Sequence, residues 1–156
     1  MKLLLHFCTL NFYTAFLNCH FHSHMNVLLF GTFDHFHPGH AFVIAEALKR
    51  GSVTVVVARD TNVEKIKGRR PDHSEKKRME RIAVAFPMAT VILGDPDDFM
   101  KPIANLKPDF ILLGYDQKLP GTVTEEQLRG LGIAIERLPA LEPEKYKSSL
   151  RRIMNK

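Results

Sequence analysis

The sequence predicts an α/β fold, a single open parallel sheet of about five strands with helices on both faces. Three observations carry this. From Asn26 onward, strand-type and helix-type patterns alternate along the chain. The strand segments are near-continuous apolar runs, as strands covered on both faces require. The polar, chemistry-bearing segments fall directly after predicted strands, where open parallel sheets bind their ligands.

Each element has its own local signal. Residues 26–31 form the first strand, an apolar run ending in Gly31. Residues 38–50 read as a helix, with Pro38 suited to its first turn, Gly51 to its C-terminal cap, and Ala41, Ile44, Ala45 and Leu48 as its apolar face. The β-branched run 53–58 is the second strand. Residues 59–70 are polar and basic and read as a loop plus a short helix, punctuated by Pro71. The next helix runs to about Phe86 with Met79, Ile82, Ala83 and Phe86 on one face. Asp72 and Glu75 have capping-box spacing there, and Ser74 is a competing cap. Residues 90–93 and 109–113 are the third and fourth strands. A helix from about 125 to 131 leads into a fifth strand, 133–137, and Ser148 or Ser149 can cap a final short helix.

A chain of 156 residues fits one domain with a substantial core. Its net charge of +5 favours anionic partners: nucleic acid, acidic lipid or phosphorylated small molecules. Cys8 and Cys19 are the only two cysteines, so neither a disulfide framework nor a cysteine zinc site supports the main domain, which agrees with a cytoplasmic setting. Residues 1–24 differ in composition from the rest. Lys2 is their one formal charge, Asn18-Cys19-His20 is a poor cleavage site, and the apolar run is too interrupted to span a membrane. Met25 directly precedes the first strand. Residues 1–24 are therefore read as an N-terminal extension or a mis-assigned start, and residues 25–156 as the domain.

The segment Gly31-Thr32-Phe33-Asp34-His35-Phe36-His37-Pro38-Gly39-His40 is the richest in chemistry. It joins the first strand to the first helix. A helix N-terminus offers unpaired N–H groups and partial positive charge, and two imidazoles added there suit a phosphate group. Two further polar segments follow predicted strands: Arg59 to Arg70, and Gly114-Tyr115-Asp116-Gln117.

Gly-Thr-Phe-Asp followed by His-x-Gly-His resembles the signature of the cytidylyltransferase-like nucleotidyltransferases. The resemblance covers roughly residues 26–152. Within that superfamily, Val57-Ala58-Arg59-Asp60, Lys67-Gly68-Arg69-Arg70-Pro71 and Leu113-Gly114-Tyr115-Asp116-Gln117 resemble the archaeal FAD synthases, which join FMN to the AMP part of ATP and release pyrophosphate. The resemblance implies a Rossmann-like sheet, ATP and FMN as partners, and Mg²⁺ with the ATP. It allows a homodimer, and neither nucleic acid nor membrane is expected as a partner. It places His37 and His40 at the α-phosphate as catalytic residues, with Lys67 on the basic loop (Lys65 is the rival) and Arg78 reaching the triphosphate. Gly31, Thr32, Phe33, Asp34 and Gly39 belong to the nucleotide loop, Thr32 at phosphate and Asp34 orienting the loop or a substrate. Gly114 and Asp116 fall at the ribose, and Ser148 and Ser149 at the β- and γ-phosphates. Arg59, Asp60 and Tyr115 are candidate substrate contacts, Tyr115 by stacking on the flavin. The stretch Lys145-Tyr146-Lys147-Ser148-Ser149 lacks the Arg-Thr-x-Gly pattern of the glycerol-phosphate enzymes.

Other readings compete with these. Glycerol-3-phosphate cytidylyltransferase and phosphopantetheine adenylyltransferase share the first signature, and a non-catalytic nucleotide- or flavin-binding module could keep the fold. His35, His37 and His40, joined by His73, invite zinc, but the glycine and threonine context serves phosphate better and no metal site is assigned. Most of Lys65, Lys67, Arg69, Arg70, Lys76, Lys77 and Arg78 read as a solvated face. Asp95, Asp97 and Asp98 read as helix-capping residues, Arg59 and Asp60 as a surface ion pair, and His20-x-His22-x-His24 as incidental.

Overall fold

A computed structural model describes residues 25–139. Ten elements alternate along it: β1 (Met25–Gly31), α1 (Pro38–Leu48), β2 (Gly51–Val57), α2 (Asp60–Lys67), α3 (Glu75–Ala85), β3 (Thr90–Leu93), α4 (Met100–Leu106), β4 (Phe110–Leu113), α5 (Glu125–Gly130) and β5 (Ala134–Arg137). The five strands form one parallel sheet in the order β3-β2-β1-β4-β5. The chain lays β2 and β3 to one side of β1 and then returns to lay β4 and β5 on the other. That reversal opens a crevice above the carboxyl ends of β1 and β4, where such sheets take ligands.

Alternate residues of the central strands feed two cores, because successive strand side chains point to opposite faces. Val27 and Leu29 of β1 join Val53, Val55 and Val57 of β2, Ile44 and Ala47 of α1, and Ile82 of α3. Leu28 and Phe30 join Val56 of β2, Ile111 and Leu113 of β4, Ile103 of α4 and Leu128 of α5. β1 and β4 are buried on both faces, which is why they read as unbroken apolar runs.

Local details refine the sequence reading. Gly51 does not cap α1. The helix ends at Leu48, and Gly51 opens β2 opposite Met25. A Cβ there would stand 2.0 Å from the Met25 carbonyl oxygen, so glycine is set by strand-to-strand approach. Ala47, with Ile44, is the fully buried pair of α1; Ala45 is only half-buried. On α3, Arg78 and Ile82 are buried, while Ala83 is exposed. Ser74, not Asp72, is the N-cap of α3: its Oγ accepts the Lys77 N–H. Asp72 is engaged elsewhere, its carboxylate facing His35 and its N–H donating to Asp34. Phe99 stands at the cap position of α4 with no side-chain hydrogen bond of its own, and Asp98 Oδ1 accepts the first helical N–H, that of Met100, at 2.8 Å. α5 opens with a full capping box between Thr124 and Gln127. Residues 1–24 and the Ser148/Ser149 cap lie outside the described residues. Among the described residues, no helix is long and apolar enough to cross a membrane.

Candidate active site

The crevice is a cavity of about 790 Å³. Its lining draws on the segments expected from the sequence: Gly31, Thr32, Phe33, Asp34, His37, Gly39 and His40 after β1, Lys67 at the end of α2, and Gly114, Tyr115 and Asp116 after β4. Residues far apart in the chain thus face one space.

The turn from β1 to α1 is held in unusual backbone. Phe33 and His35 take φ of +54° and +49°, left-handed values uncommon for residues other than glycine. Phe33 is buried, and a Cβ on Gly31 would meet its ring at 2.7 Å, so Gly31 makes room for that aromatic anchor. His37 is the N-cap of α1. It is extended, 7% exposed, and its Nδ1 accepts the Gly39 N–H at 3.1 Å. With Nδ1 an acceptor, the ring proton of His37 sits on Nε2, which is a donor. His40 stacks on His37, with ring centroids 3.8 Å apart and planes at 21°. Phe33 and Phe36 bracket the His40 ring at 5.2 and 5.7 Å.

The N–H groups at the start of α1 are already used. Pro38 has none, Gly39 donates to the His37 ring, and His40 and Ala41 donate to the His37 carbonyl. An anion at this helix start therefore meets imidazole N–H and the helix dipole rather than backbone N–H groups. This departs from the sequence reading, and the cause is His37 itself acting as the cap.

Lys67 Nζ donates to Thr32 Oγ1 at 3.2 Å, which brings the basic loop to the nucleotide loop. Lys65 does not line the crevice. Of the other basic residues, Arg70 pairs with Glu64.

Arg78 is placed differently from its expected reach to the triphosphate. It is 0% exposed and does not line the crevice. Its Nε donates to the His73 carbonyl, Nη1 to the Thr32 carbonyl, and Nη2 to the Ala58 carbonyl at 2.8 Å and to Asp60 Oδ1 at 2.7 Å. The guanidinium is a pin joining the β1–α1 turn, the end of β2, the start of α2 and the loop before α3. Arg59 and Asp60 belong to the same scaffold and not to the crevice. They do not pair with each other: Arg59 meets Glu75 at 3.4 Å and Asp60 takes Arg78, while Asp60 Oδ2 accepts the Glu75 N–H.

Asp34 lies buried at the edge of the crevice and ties two loops. Its carboxylate accepts the N–H groups of Asp72 and His73 and contacts His73 Nδ1 at 3.0 Å. Burial alone would raise its pKa. The Asp72 N–H, the His73 ring, the positive field of His35 and the His73 N–H outweigh that and hold it below the usual carboxylate value. Asp95 closes the turn before α4 rather than capping a helix: the N–H groups it takes belong to Asp97 and Asp98, ahead of Met100. It accepts from Lys101 at 2.7 Å and from the Asp97 and Asp98 N–H groups, which together lower its pKa to about 2.

Several residues that shape the site lie outside the site residues expected from the sequence. Gln117 donates from Nε2 to the Phe30 carbonyl and accepts the Gly114 N–H, pinning the β4 loop to β1. Arg137, on β5, holds the Gly114 and Gln117 carbonyls. Buried Asn62 donates to the Asp95 carbonyl at 2.9 Å. Ile66, Phe99 and Leu119 give the crevice an apolar wall. Only Gln117 stood inside a recognisable motif; the others come together through sheet order.

A doubly wound parallel sheet with an imidazole pair and a lysine at its topological switch point defines an α/β protein built to hold a phosphorylated ligand. A family model described as Cytidylyltransferase-like matches residues 28–152, and the chain belongs to that family. It is 41% identical over 128 residues to the FAD synthase of Archaeoglobus profundus, covering 80% of this chain and 81% of that one. It is 39% identical over 113 residues to the FAD synthase of Aciduliprofundum boonei, covering 72% and 75%. Among solved structures, the lipopolysaccharide core biosynthesis protein of Thermoplasma volcanium superposes with a TM-score of 0.66 at 34% identity, covering 76% of this chain and 98% of that one.

Proposed function

We propose that this protein is an FAD synthase, an FMN adenylyltransferase that transfers AMP from ATP to FMN and releases pyrophosphate. One observation carries the reading: the stacked imidazoles of His37 and His40 line the same β1–β4 crevice as Lys67 in a chain 41% identical to an FAD synthase.

The chemistry needs little covalent help. A phosphate monoester has a second pKa of about 6, so FMN presents a dianionic oxygen near neutral pH and needs no general base. That oxygen bonds to the α-phosphorus of ATP in line. The bond from that phosphorus to the pyrophosphate oxygen breaks, and its electron pair leaves on pyrophosphate. The protein aligns the groups and stabilises negative charge as it shifts. His37 Nε2–H and the His40 imidazole serve the α-phosphate oxygens. Lys67, steadied on Thr32, serves the leaving pyrophosphate. Asp116 takes the ribose, and the wall of Ile66, Phe99 and Leu119 with Tyr115 takes flat rings. Mg²⁺ would enter with ATP as part of that substrate and would offset phosphate charge. A cavity of about 790 Å³ is at the upper end of ordinary small-molecule sites, as donor and acceptor held together require.

Product analysis tests the proposal. The full chain is incubated with Mg²⁺, ATP or CTP, and each of FMN, glycerol 3-phosphate and phosphopantetheine. FAD formed from FMN and ATP is the expected result. Pyrophosphate released only with CTP and glycerol 3-phosphate overturns it.

A further inference from the structure

Asp34, His35 and His73 each present a ligand atom, and these atoms all lie within 4.8 Å of one another. Asp34 and His35 come from the turn after β1, His73 from the loop before α3. The grouping differs from the run of neighbouring histidines in the sequence: the fold turns His37 and His40 into the crevice pair and sends His35 to meet His73. Nothing in the transfer reaction uses His35 or His73.

We propose that Asp34, His35 and His73 form a binding site for a divalent transition cation of the zinc or cobalt class, which staples the turn carrying His37 to the loop preceding α3.

The geometry is close to what such an ion needs. Two ligands about 2.0–2.1 Å from a tetrahedral ion stand ~3.3 Å apart. His73 Nδ1 and Asp34 Oδ1 are 3.0 Å apart, near one edge of that tetrahedron. The His35 and His73 rings meet edge to face with centroids 4.9 Å apart, and their ligand atoms and that of Asp34 lie within 4.8 Å of one another. Two imidazoles and one carboxylate are a borderline donor set that suits zinc, cobalt or nickel better than magnesium or calcium, which take oxygen ligands. The three side chains are only 8%, 19% and 18% exposed, which limits competition from water. Asp34 and His35 also edge the crevice, which leaves a route for the ion and for a water as fourth ligand. Asp72 Oδ2 lies 2.6 Å from His35 Nε2 and holds that ring in place.

Metal binding to the full chain tests this independently of catalysis. The protein is stripped with chelator, then titrated with Co²⁺ read by visible absorption and with Zn²⁺ read by calorimetry. Cys8, Cys19, His20, His22 and His24 are further donors in the full chain, so the decisive reading is a difference between variants. His35→Gln and His73→Gln keep a hydrogen-bonding group toward Asp72 and Asp34 but remove the ligand nitrogen. Each is expected to lose one metal equivalent, or weaken it by about 10-fold or more, while its metal-free urea midpoint stays near that of the parent. Zn²⁺ is expected to raise the melting temperature of the parent more than that of His73→Gln. The same equivalents and the same Zn²⁺-dependent rise in both variants overturn the proposal, as does loss of the equivalent in His37→Asn instead.

Discussion

Arg78 donates from Nη1 to the backbone carbonyl of Thr32, across 46 positions of sequence and from a guanidinium with no solvent exposure. The contact makes the position of the nucleotide loop depend on a helix that contributes nothing to the crevice wall. Removing Arg78 takes the guanidinium from Asp60 Oδ1 and from the carbonyls of Thr32, Ala58 and His73.

Arg78→Ala is therefore expected to destabilise the fold by on the order of 3 kcal/mol, the usual cost of breaking a buried charged network. Arg78→Lys keeps the charge but not the fork, and its loss is expected to be smaller though still measurable. Urea unfolding checks both. A large loss of turnover with an unchanged unfolding midpoint would mean that Arg78 acts on substrate after all.

His37 has two roles that a pair of variants separates. His37→Ala removes both the helix cap and the Nε2 donor, so stability is expected to fall by roughly 1 kcal/mol and kcat by about 10²–10³. His37→Asn restores a capping side chain without the donor. It is expected to regain the stability and not the rate. His40→Ala is expected to lower kcat similarly while ATP binding, followed by calorimetry, stays measurable. Unchanged turnover in His40→Ala would remove the imidazole pair from the mechanism.

Lys67 is exposed and reaches the nucleotide loop through its bond to Thr32 Oγ1. Lys67→Ala is expected to leave the melting temperature within the range of ordinary surface changes, about 0.5 kcal/mol, while lowering kcat/KM for ATP by roughly 10-fold or more. Steady-state kinetics against ATP at two salt concentrations provides the measurement, because the Lys67 contribution weakens as salt screens it.

Asp95 gives a pH signature. The Lys101 side chain, then the Asp97 and Asp98 N–H groups, lower its pKa from 3.8 to about 2 in the folded protein. A depressed folded pKa adds stability that is present above the unfolded value and lost as pH falls through the folded one. The Asp95 contribution is thus intact at pH 5 and disappears between pH 4 and pH 2. Asp95→Asn is expected to melt lower than the parent at pH 7 and to show a shallower fall between pH 4 and pH 2. Parallel acid limbs in the two proteins would contradict this.

Gly51→Ala tests the close approach of β1 and β2. Its Cβ would press on the Met25 carbonyl oxygen at 2.0 Å, a backbone atom that cannot rotate away. A destabilisation of about 1–3 kcal/mol is expected in urea unfolding, as for overpacking elsewhere. Had Gly51 been a helix cap, the same change would be governed by a left-handed backbone, which Gly51 does not have.

Local chemistry made much of this protein legible in its sequence. The runs 26–31 and 53–58 read as strands and fall on β1 and β2, which spans Gly51–Val57, and Pro38 marks the start of α1. The decapeptide Gly31 to His40 announced a phosphate-suited turn because its glycines, threonine and imidazoles are adjacent in the chain. The acidic turn 95–98 marks the start of α4, where Asp98 accepts the Met100 N–H, but the helix is only seven residues long and has no clear apolar period to show its extent. Arg78 was misplaced for a different reason: an arginine in a basic run looks solvated or substrate-facing, and nothing local shows that Thr32, Ala58 and His73 turn their carbonyls toward it.

The sequence by itself determined the alternation of strands and helices, the net positive charge and the place of the histidine-rich turn between β1 and α1, because each rests on neighbours within a few residues. Tertiary structure alone decided which side chains meet. Sheet order set β4 beside β1 and so brought Gln117 and Asp116 to the crevice. The left-handed backbone at His35 and the clamp of Asp34 on residues 72 and 73 parted one histidine from its neighbours and joined it to His73. Those pairings depend on contacts between segments tens of residues apart, and no local pattern encodes them.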